Sequence, residues 1–347
     1  MKKKYSYFFL LLLLFIPLFL ILYPDYESYT WWTKPIVNDD LLTYVSSDGI
    51  LKIKDTNTNK EYKIDEIKPD DHNNGALLDY KDGYIIFYTG HNENNIINYK
   101  ILDKNLKIIK ENKIELDNSI TYIQAYKINE NNFQIFYRSN LYSWDILYLN
   151  LEDEKVENYN LFMAPEQIYI NTFMLEDKIR FVIQGHPSKS QIKGLYEGFI
   201  DFEGNLYDGD KNLLKNIKED KKLSYDDYKK IYESDNRVRL LDINENGILF
   251  CEIINKVCKY TYYDGNPKII GETKTLIDRD NYYYGGAIFN NNDVIYISDN
   301  KVYKNNKLLY ESSKMIHRPI LVNNNIYVLE GDYNSYTDFK TRLKRVN

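Results

Sequence analysis

One motif keeps returning along this chain and limits what it can fold into. An apolar strand ends in acidic, Asn or Gly residues, and a second, more strongly apolar strand follows at once. The motif reads Tyr80-Lys-Asp-Gly-Tyr-Ile-Ile-Phe, Ile128-Asn-Glu-Asn-Asn-Phe-Gln-Ile-Phe and Leu175-Glu-Asp-Lys-Ile-Arg-Phe-Val. It returns as Ile243-Asn-Glu-Asn-Gly-Ile-Leu-Phe, Phe289-Asn-Asn-Asn-Asp-Val-Ile-Tyr and Val322-Asn-Asn-Asn-Ile-Tyr-Val-Leu. Each is a hairpin signal, because these turn residues tolerate the positive φ of tight turns. Asp48-Gly49 and Asp82-Gly83 carry the same signal, and Leu51 and Ile53 alternate with Lys52 and Lys54 as a half-buried strand does. The returns lie mostly about 45 residues apart, which is room for four short strands and their turns. From Leu41 onward the chain is therefore expected to be all β.

A four-stranded unit cannot cover both of its own faces, so units must stack. The stretch Ser46-Ser-Asp-Gly-Ile-Leu-Lys-Ile-Lys-Asp-Thr-Asn-Thr-Asn-Lys-Glu resembles the later strands of a WD40-type blade, with Lys54-Asp55 where that family carries Trp-Asp. The chain is similar to β-propeller repeat proteins in general, loosely over most of its length beyond residue 40, and to no specific functional family. The resemblance implies a closed ring of blades. Counting the opening unit gives a seven-bladed β-propeller, with six blades as the fallback. A tandem β-sandwich is the alternative fold. Gly75-Ala76, Ala125 and Gly285-Gly286-Ala287 suit the innermost strands, which crowd the ring axis. The period breaks at about 206–236. There, 212–220 and 224–232 read as one or two short helices, Ser224 and Asp227 making a capping-box-like start.

Lys2, Lys3 and Lys4 precede an uncharged apolar run from Tyr5 to Tyr23. At about 1.5 Å per residue that run just spans a bilayer core of about 30 Å. Tyr26, Tyr29, Trp31 and Trp32 follow it as an aromatic belt, and Pro17 is tolerated in a membrane helix. The early positive charge puts the N-terminus inside and the rest outside the cytoplasm. A cleaved signal peptide would need small residues after the run, where Tyr23-Pro24-Asp25 stands, and no Cys follows to carry a lipid. The expected organisation is a cytoplasmic tip and single transmembrane signal-anchor helix over 1–24, a linker over 25–40, and an extracytoplasmic domain over 41–347. The location read from this is a bacterial cytoplasmic membrane.

With 51 acidic and 45 basic residues well interspersed, the net charge is −6, and nucleic acid finds no basic footprint. The 35 Tyr and the many Asn, Lys and Ile match the codon bias of a low-GC genome. No Asn-Xaa-Ser/Thr sequon occurs. Cys251 and Cys258 sit on successive strands of one expected hairpin. A loop centred on Ile254-Asn255 places them opposite each other for a cross-strand disulfide, and a centre one residue later leaves them as free thiols.

In an antiparallel four-stranded blade, the loop between the second and third strands opens at the same end as the link to the next blade. His91 and His186 follow the second strands of their units, and Arg138 sits near the matching place between them. His72 lies in the first link, His317 opens the last unit, and the 206–236 insertion is itself a link. The expected site is therefore a binding face built from His91, Arg138, His186 and His317. The spacing of the histidines gives no metal site, and no motif asks for a cofactor. The Arg residues (Arg138, Arg180, Arg237, Arg279, Arg318) lack the Ser-x-Asp-x-Gly-x-Thr-Trp boxes of propeller sialidases. No G-x-S-x-G elbow, phosphate-cradling Gly loop or H-E-x-x-H appears. The function expected is a tethered binding or scaffolding module for a protein, peptide or glycan, with a glycan hydrolase as the alternative. Arg342, Lys344 and Arg345 read as edge protection on a last strand.

Overall fold

The structure, a computed structural model, describes residues 36–346 apart from 47–48, 68–74, 90–94, 141, 165–167, 186–191, 256, 275–285 and 336–337. The apolar run and the linker up to residue 35 lie outside the described residues. Among those described, no helix is long and apolar enough to cross a membrane.

The chain forms seven antiparallel sheets in sequence order, the blades of a β-propeller. Blade 1 is β1 (Ile36–Asn38), β2 (Leu41–Val45), β3 (Ile50–Asp55) and β4 (Lys60–Glu66). Blade 2 is β5 (Gly75–Tyr80), β6 (Gly83–Thr89), β7 (Ile96–Asp103) and β8 (Ile108–Glu115). Blade 3 is β9 (Thr121–Lys127), β10 (Asn132–Asn140), β11 (Ser143–Asn150) and β12 (Lys155–Met163). Blade 4 holds β13 (Ile168–Met174), β14 (Lys178–Gly185), β15 (Leu195–Asp201), β16 (Asn205–Asp208), β17 (Leu213–Asn216) and β18 (Lys229–Tyr232). Blade 5 is β19 (Arg237–Ile243), β20 (Ile248–Ile254), β21 (Val257–Tyr263) and β22 (Pro267–Lys274). Blade 6 is β23 (Ala287–Asn290), β24 (Asp293–Ser298), β25 (Lys301–Lys304) and β26 (Lys307–Glu311). Blade 7 has three strands, β27 (Met315–Val322), β28 (Asn325–Ser335) and β29 (Asp338–Arg345). All six returns of the sequence motif are turns between the first and second strands of a blade.

Burial follows position in the blade. Second strands sit between two neighbouring blades, so Ile85, Ile86 and Phe87, or Phe181, Val182 and Ile183, are buried on both faces. Outer strands face water, and β8 is exposed at every position but one. β4, β8, β12, β18, β22 and β26 each have a shift in register against the third strand of their blade, as between Leu102 and Ile101 opposite β8. Such bulges twist an edge away from foreign strands. Asn has a structural use in the turns. Asn305 with Asn306, and Asn323 with Asn324, hold positive φ in two-residue turns, the type I′ geometry that matches strand twist.

The core is seven separate clusters, one at each blade-to-blade contact. Phe87 and Tyr99 of blade 2 meet Phe133 and Ile123 of blade 3, and Ile297 and Val302 of blade 6 meet Ile316 and Val328 of blade 7. The ring closes where Ile320, Val322, Tyr327 and Leu329 of blade 7 pack on Leu42 and Tyr44 of blade 1. Innermost strands are laced to their neighbours as well. Asn38 donates to Asp79 (3.0 Å), Gln124 accepts from the Thr172 N–H (3.1 Å), and Asp242 accepts from the Phe289 N–H (2.9 Å). At the closure Asn323 donates to Asp40 (3.0 Å). The axial placement of Ala76, Ala125 and Ala287 holds, since all three are buried on innermost strands.

The insertion departs from the helical reading. Residues 212–220 contain β17, which hairpins onto β16, and 224–232 contain one 3₁₀ turn (Tyr225–Asp227) followed by β18. The capping contact does form, Ser224 N–H donating to Asp227 (2.7 Å), but Tyr228 is already extended at φ −91° and ψ 158°. Its ring buries between Phe162 and Phe181, at centroid distances of 5.6 and 5.1 Å. Gly198 makes room there, since a Cβ would lie 2.5 Å from the Tyr228 ring. β18 then pairs with the part of β15 that the short β16 leaves open. Burial of a large ring and satisfaction of a sheet edge outweigh a cap of about 1 kcal/mol.

A repeated latch spans two of the joints. Glu330 of β28, 2% exposed, accepts hydrogen bonds from Tyr310 (2.9 Å) and Ser312 of the preceding blade. At the same sequence spacing Glu252 of β20 accepts from Tyr232 (3.2 Å) and Ser234. Loss of the buried Glu330 carboxylate removes the acceptor that the Tyr310 and Ser312 hydroxyls share across the joint. Glu330→Ala is expected to cost about 3 kcal/mol in chemical denaturation, whereas Glu61→Ala, on the partly exposed pair with Lys52 and Lys54, costs no more than about 0.5 kcal/mol.

Candidate functional site

Strand direction gives the ring two unlike ends. At the turn end lie the tight turns between first and second and between third and fourth strands. At the loop end lie the loops after β6, β10 and β14 and every link between blades. His91 and His186 follow β6 and β14 as expected, but both, with His72, lie outside the described residues. His317 falls on β27 within the register shift between Ile316 and Pro319, one strand residue pair in from the link.

Arg138 is described in full, and its surroundings differ from those of a ligand-facing residue. It is 1% exposed, with its guanidinium 4.7 Å from the Tyr122 ring centre and 5.0 Å from that of Tyr169. The two rings meet edge to face at 5.5 Å. Such stacking is worth roughly 1 kcal/mol per ring when shielded from water. Tyr122 is the extra residue of a bulge on β9, between Thr121 and Ile123 in the register with β10, and its φ is +61°. An aromatic residue in this left-handed conformation carries strain that its surroundings must hold. Arg138 therefore positions Tyr122 and Tyr169, which are only partly buried, at the axial end of their strands.

Other aromatic residues gather at the same end of blades 3 and 4. Tyr142, 48% exposed, follows the loop after β10, and its carbonyl accepts from the Ala164 N–H (2.9 Å). Tyr196 packs edge-on against Tyr225 of the insertion at 5.1 Å, with Lys230 5.7 Å from the Tyr196 ring centre. The insertion reaches this end by binding blade 3, Met163 N–H donating to Leu223 (3.0 Å). A tyrosine sector thus stands at this end around Arg138, the one of the four expected site residues whose side chain is among those described. Its sequence signal was the pairing of Tyr122-Ile-Gln with Tyr169-Ile-Asn, one blade apart.

Polar groups beside the sector serve the fold. Asp145, buried at the start of β11, accepts from Ser143 (3.2 Å) and Asn160 (2.6 Å). Burial first, and then the Asp145 charge, push the Tyr137 phenol well above its ordinary range. Burial does the same to Tyr126 and Tyr228, so these phenols stay neutral hydrogen-bond donors. Arg180 pairs with Glu197 (2.6 Å) and donates to the Asn244 carbonyl (2.7 Å), tying blade 4 to blade 5. Among the described residues no group of three or more His, Cys, Asp or Glu is placed to hold a metal ion.

Cys251 and Cys258 are free and buried. Ile254 pairs with Val257, so the hairpin centres one residue beyond the register a disulfide needs. Cys251 faces Tyr260 and Cys258 faces Ile253, which makes the thiols diagonal neighbours. Burial, with the adjacent Cys251 thiol, pushes the Cys258 thiol up.

No protein-family model matches the chain, and no curated protein matches it. Solved structures do. The β-propeller domain of the Trilobed protease from Pyrococcus furiosus is 14% identical with a TM-score of 0.51, over 93% of this chain and 97% of that one. Sqt1 from Saccharomyces cerevisiae is 10% identical with a TM-score of 0.54, over 93% and 97%. Acylaminoacyl peptidase from Pyrococcus horikoshii is 13% identical with a TM-score of 0.52, over 92% of this chain and 52% of that one. These likenesses establish the propeller fold and nothing finer.

Thiol chemistry tests the hairpin register. Non-reduced protein should yield two free thiols per chain after unfolding and none reactive within minutes when folded at pH 8. Fewer than two after unfolding would mean that the thiols are bridged.

Proposed function

We propose that this chain is a tethered binding module whose ligand, a protein, peptide or glycan, docks on the loop end of the ring. The observation that carries this reading is the tyrosine sector. Tyr142 is exposed, and Tyr122 and Tyr169 are held in fixed orientation at the same end by a buried guanidinium. Tyr gives flat contact area and a hydroxyl for little loss of side-chain entropy, which suits recognition of peptides and sugar rings. His91 and His186, which follow β6 and β14 in sequence, and His317 near the start of the last blade are proposed to belong to the same site. Structures of similar fold include the β-propeller domain of a protease and an acylaminoacyl peptidase. The apolar run Tyr5–Tyr23, behind three lysines, supports a single membrane span with the ring outside the cytoplasm of a bacterium.

Two measurements test the proposal. The full chain, screened against immobilised oligosaccharides and peptides, should retain a ligand that Tyr142→Ala or the pair His91→Ala/His186→Ala weakens about tenfold, roughly 1.4 kcal/mol. Glu61→Ala, at the turn end, should leave it unchanged. A ligand insensitive to all three loop-end changes would contradict the site. Separately, the full chain should float with lipid vesicles through a high-salt wash, and lose that property when residues 1–24 are removed. Flotation that survives the deletion would contradict the tether.

A further inference from the structure

Two nucleophilic side chains meet in the joint between blades 5 and 6. Cys251 of β20 and Cys258 of β21 both turn into it, 0% exposed, and their thiols share a hydrogen bond. Cys251 is level with Tyr260 and Cys258 with Ile253, so the two cysteines are diagonal neighbours across the strands. The right-handed twist of a hairpin draws this diagonal together. A disulfide still needs Cβ atoms about 3.8 Å apart, which suits residues directly opposite each other. A single ion bonded to both sulfurs bridges a wider gap, because two metal–sulfur bonds of about 2.3 Å hold the sulfurs as much as about 4.6 Å apart.

The surroundings choose the ion. Leu249, Ile253, Tyr260, Ala287 and Tyr296 line the pair, so the place is dry and offers sulfur alone. No third His, Cys, Asp or Glu joins it among the described residues. Zinc and the harder divalent ions want four or more ligands. Thiolates favour soft ions, and copper(I) is satisfied by two sulfurs in line. Charge points the same way. Two thiolates around a monovalent ion leave one negative charge, and Arg239, directly opposite Cys251 on β19, brings a positive one. Tyr260 flanks Cys251 on the other side, its ring centre 5.8 Å from that of Tyr296. The Tyr296 ring in turn lies over Gly271, where a Cβ would come within 2.5 Å of it. Cys258 is the second residue of β21, and Asn255 at the hairpin tip is exposed, so opening of one short turn admits an ion from the loop end.

We propose that Cys251 and Cys258 form a two-coordinate site for one soft monovalent metal ion of the copper(I) type. Each thiol gives its proton to solvent as its sulfur–metal bond forms, so loading releases two protons and consumes no oxidant or reductant. The bound ion cross-links β20 to β21. The site shares no residue with the tyrosine sector and does not depend on the membrane span, so it stands or falls without either.

Copper(I) itself is the probe, held by a coloured chelator in the absence of oxygen and equilibrated overnight with the full chain in detergent micelles. The parent should withdraw one copper per chain and melt at a higher temperature when loaded. X-ray absorption at the copper edge should show two sulfur neighbours and no nitrogen or oxygen. Cys258→Val keeps the joint filled and apolar. It should cut the affinity by about a hundredfold or more while melting close to the metal-free parent. Arg239→Gln leaves both thiols in place and should weaken copper about tenfold with the two-sulfur spectrum unchanged. Four results would overturn the proposal: a parent that withdraws no copper, a Cys258→Val chain that withdraws as much as the parent, nitrogen or oxygen bound to the copper, or a melting temperature that falls on loading, which would mean that the ion binds the unfolded chain.

Discussion

A four-stranded blade has two apolar faces and no means of burying either alone. Everything in this ring follows from that constraint. Phe87, Phe136, Phe181 and Phe250 are buried only because another blade stands against theirs, and the seven clusters are all joints rather than blade interiors. A row of blades would leave two such faces in water. The contact of Leu42 and Tyr44 with Ile320, Val322, Tyr327 and Leu329 removes both at once. At roughly 1.5–3 kcal/mol for each large apolar side chain taken from water, this one joint is comparable to the whole stability of an ordinary domain.

The ring in turn holds the loop end rigid. Tyr122 stays in a left-handed conformation because β9 is laced to β13 through Gln124 and Thr172, and because the Arg138 guanidinium stacks over both rings. Gln124, Thr172 and Arg138 all belong to the joint between blades 3 and 4. A face built this way can present aromatic surface without reorganising when a partner arrives, which lowers the entropic cost of binding.

Most of the fold was legible in the sequence because its information is local. Turn residues between two apolar runs mark a hairpin whatever surrounds it, and the six hairpins so marked are real. The insertion was misread for the opposite reason. Ser224 with Asp227 is a genuine local cap, but the fate of Tyr228 depends on Phe162, Phe181 and Gly198, which lie far away in the chain. The cysteines turned on a single residue of register, which local pattern leaves open. Arg138 was found by its position in the repeat, but a burial of 1% exposure and two flanking tyrosines are products of the joint, invisible in one blade. The histidines and the apolar run lie outside the described residues or, for His317, are placed by backbone alone.

Closure at the joint of blades 7 and 1 is the claim on which the rest depends, and one substitution tests it directly. Leu42→Ala leaves a cavity in that joint, at a cost of about 3 kcal/mol. If the ring is one cooperative unit, hydrogen exchange in β10 and β14, across the ring from the joint, should accelerate by the factor that matches the global loss. Faster exchange confined to β1–β3 and β27–β28, with β10 and β14 unchanged, would mean that the blades stand as a row held by neighbours alone, and would contradict the account.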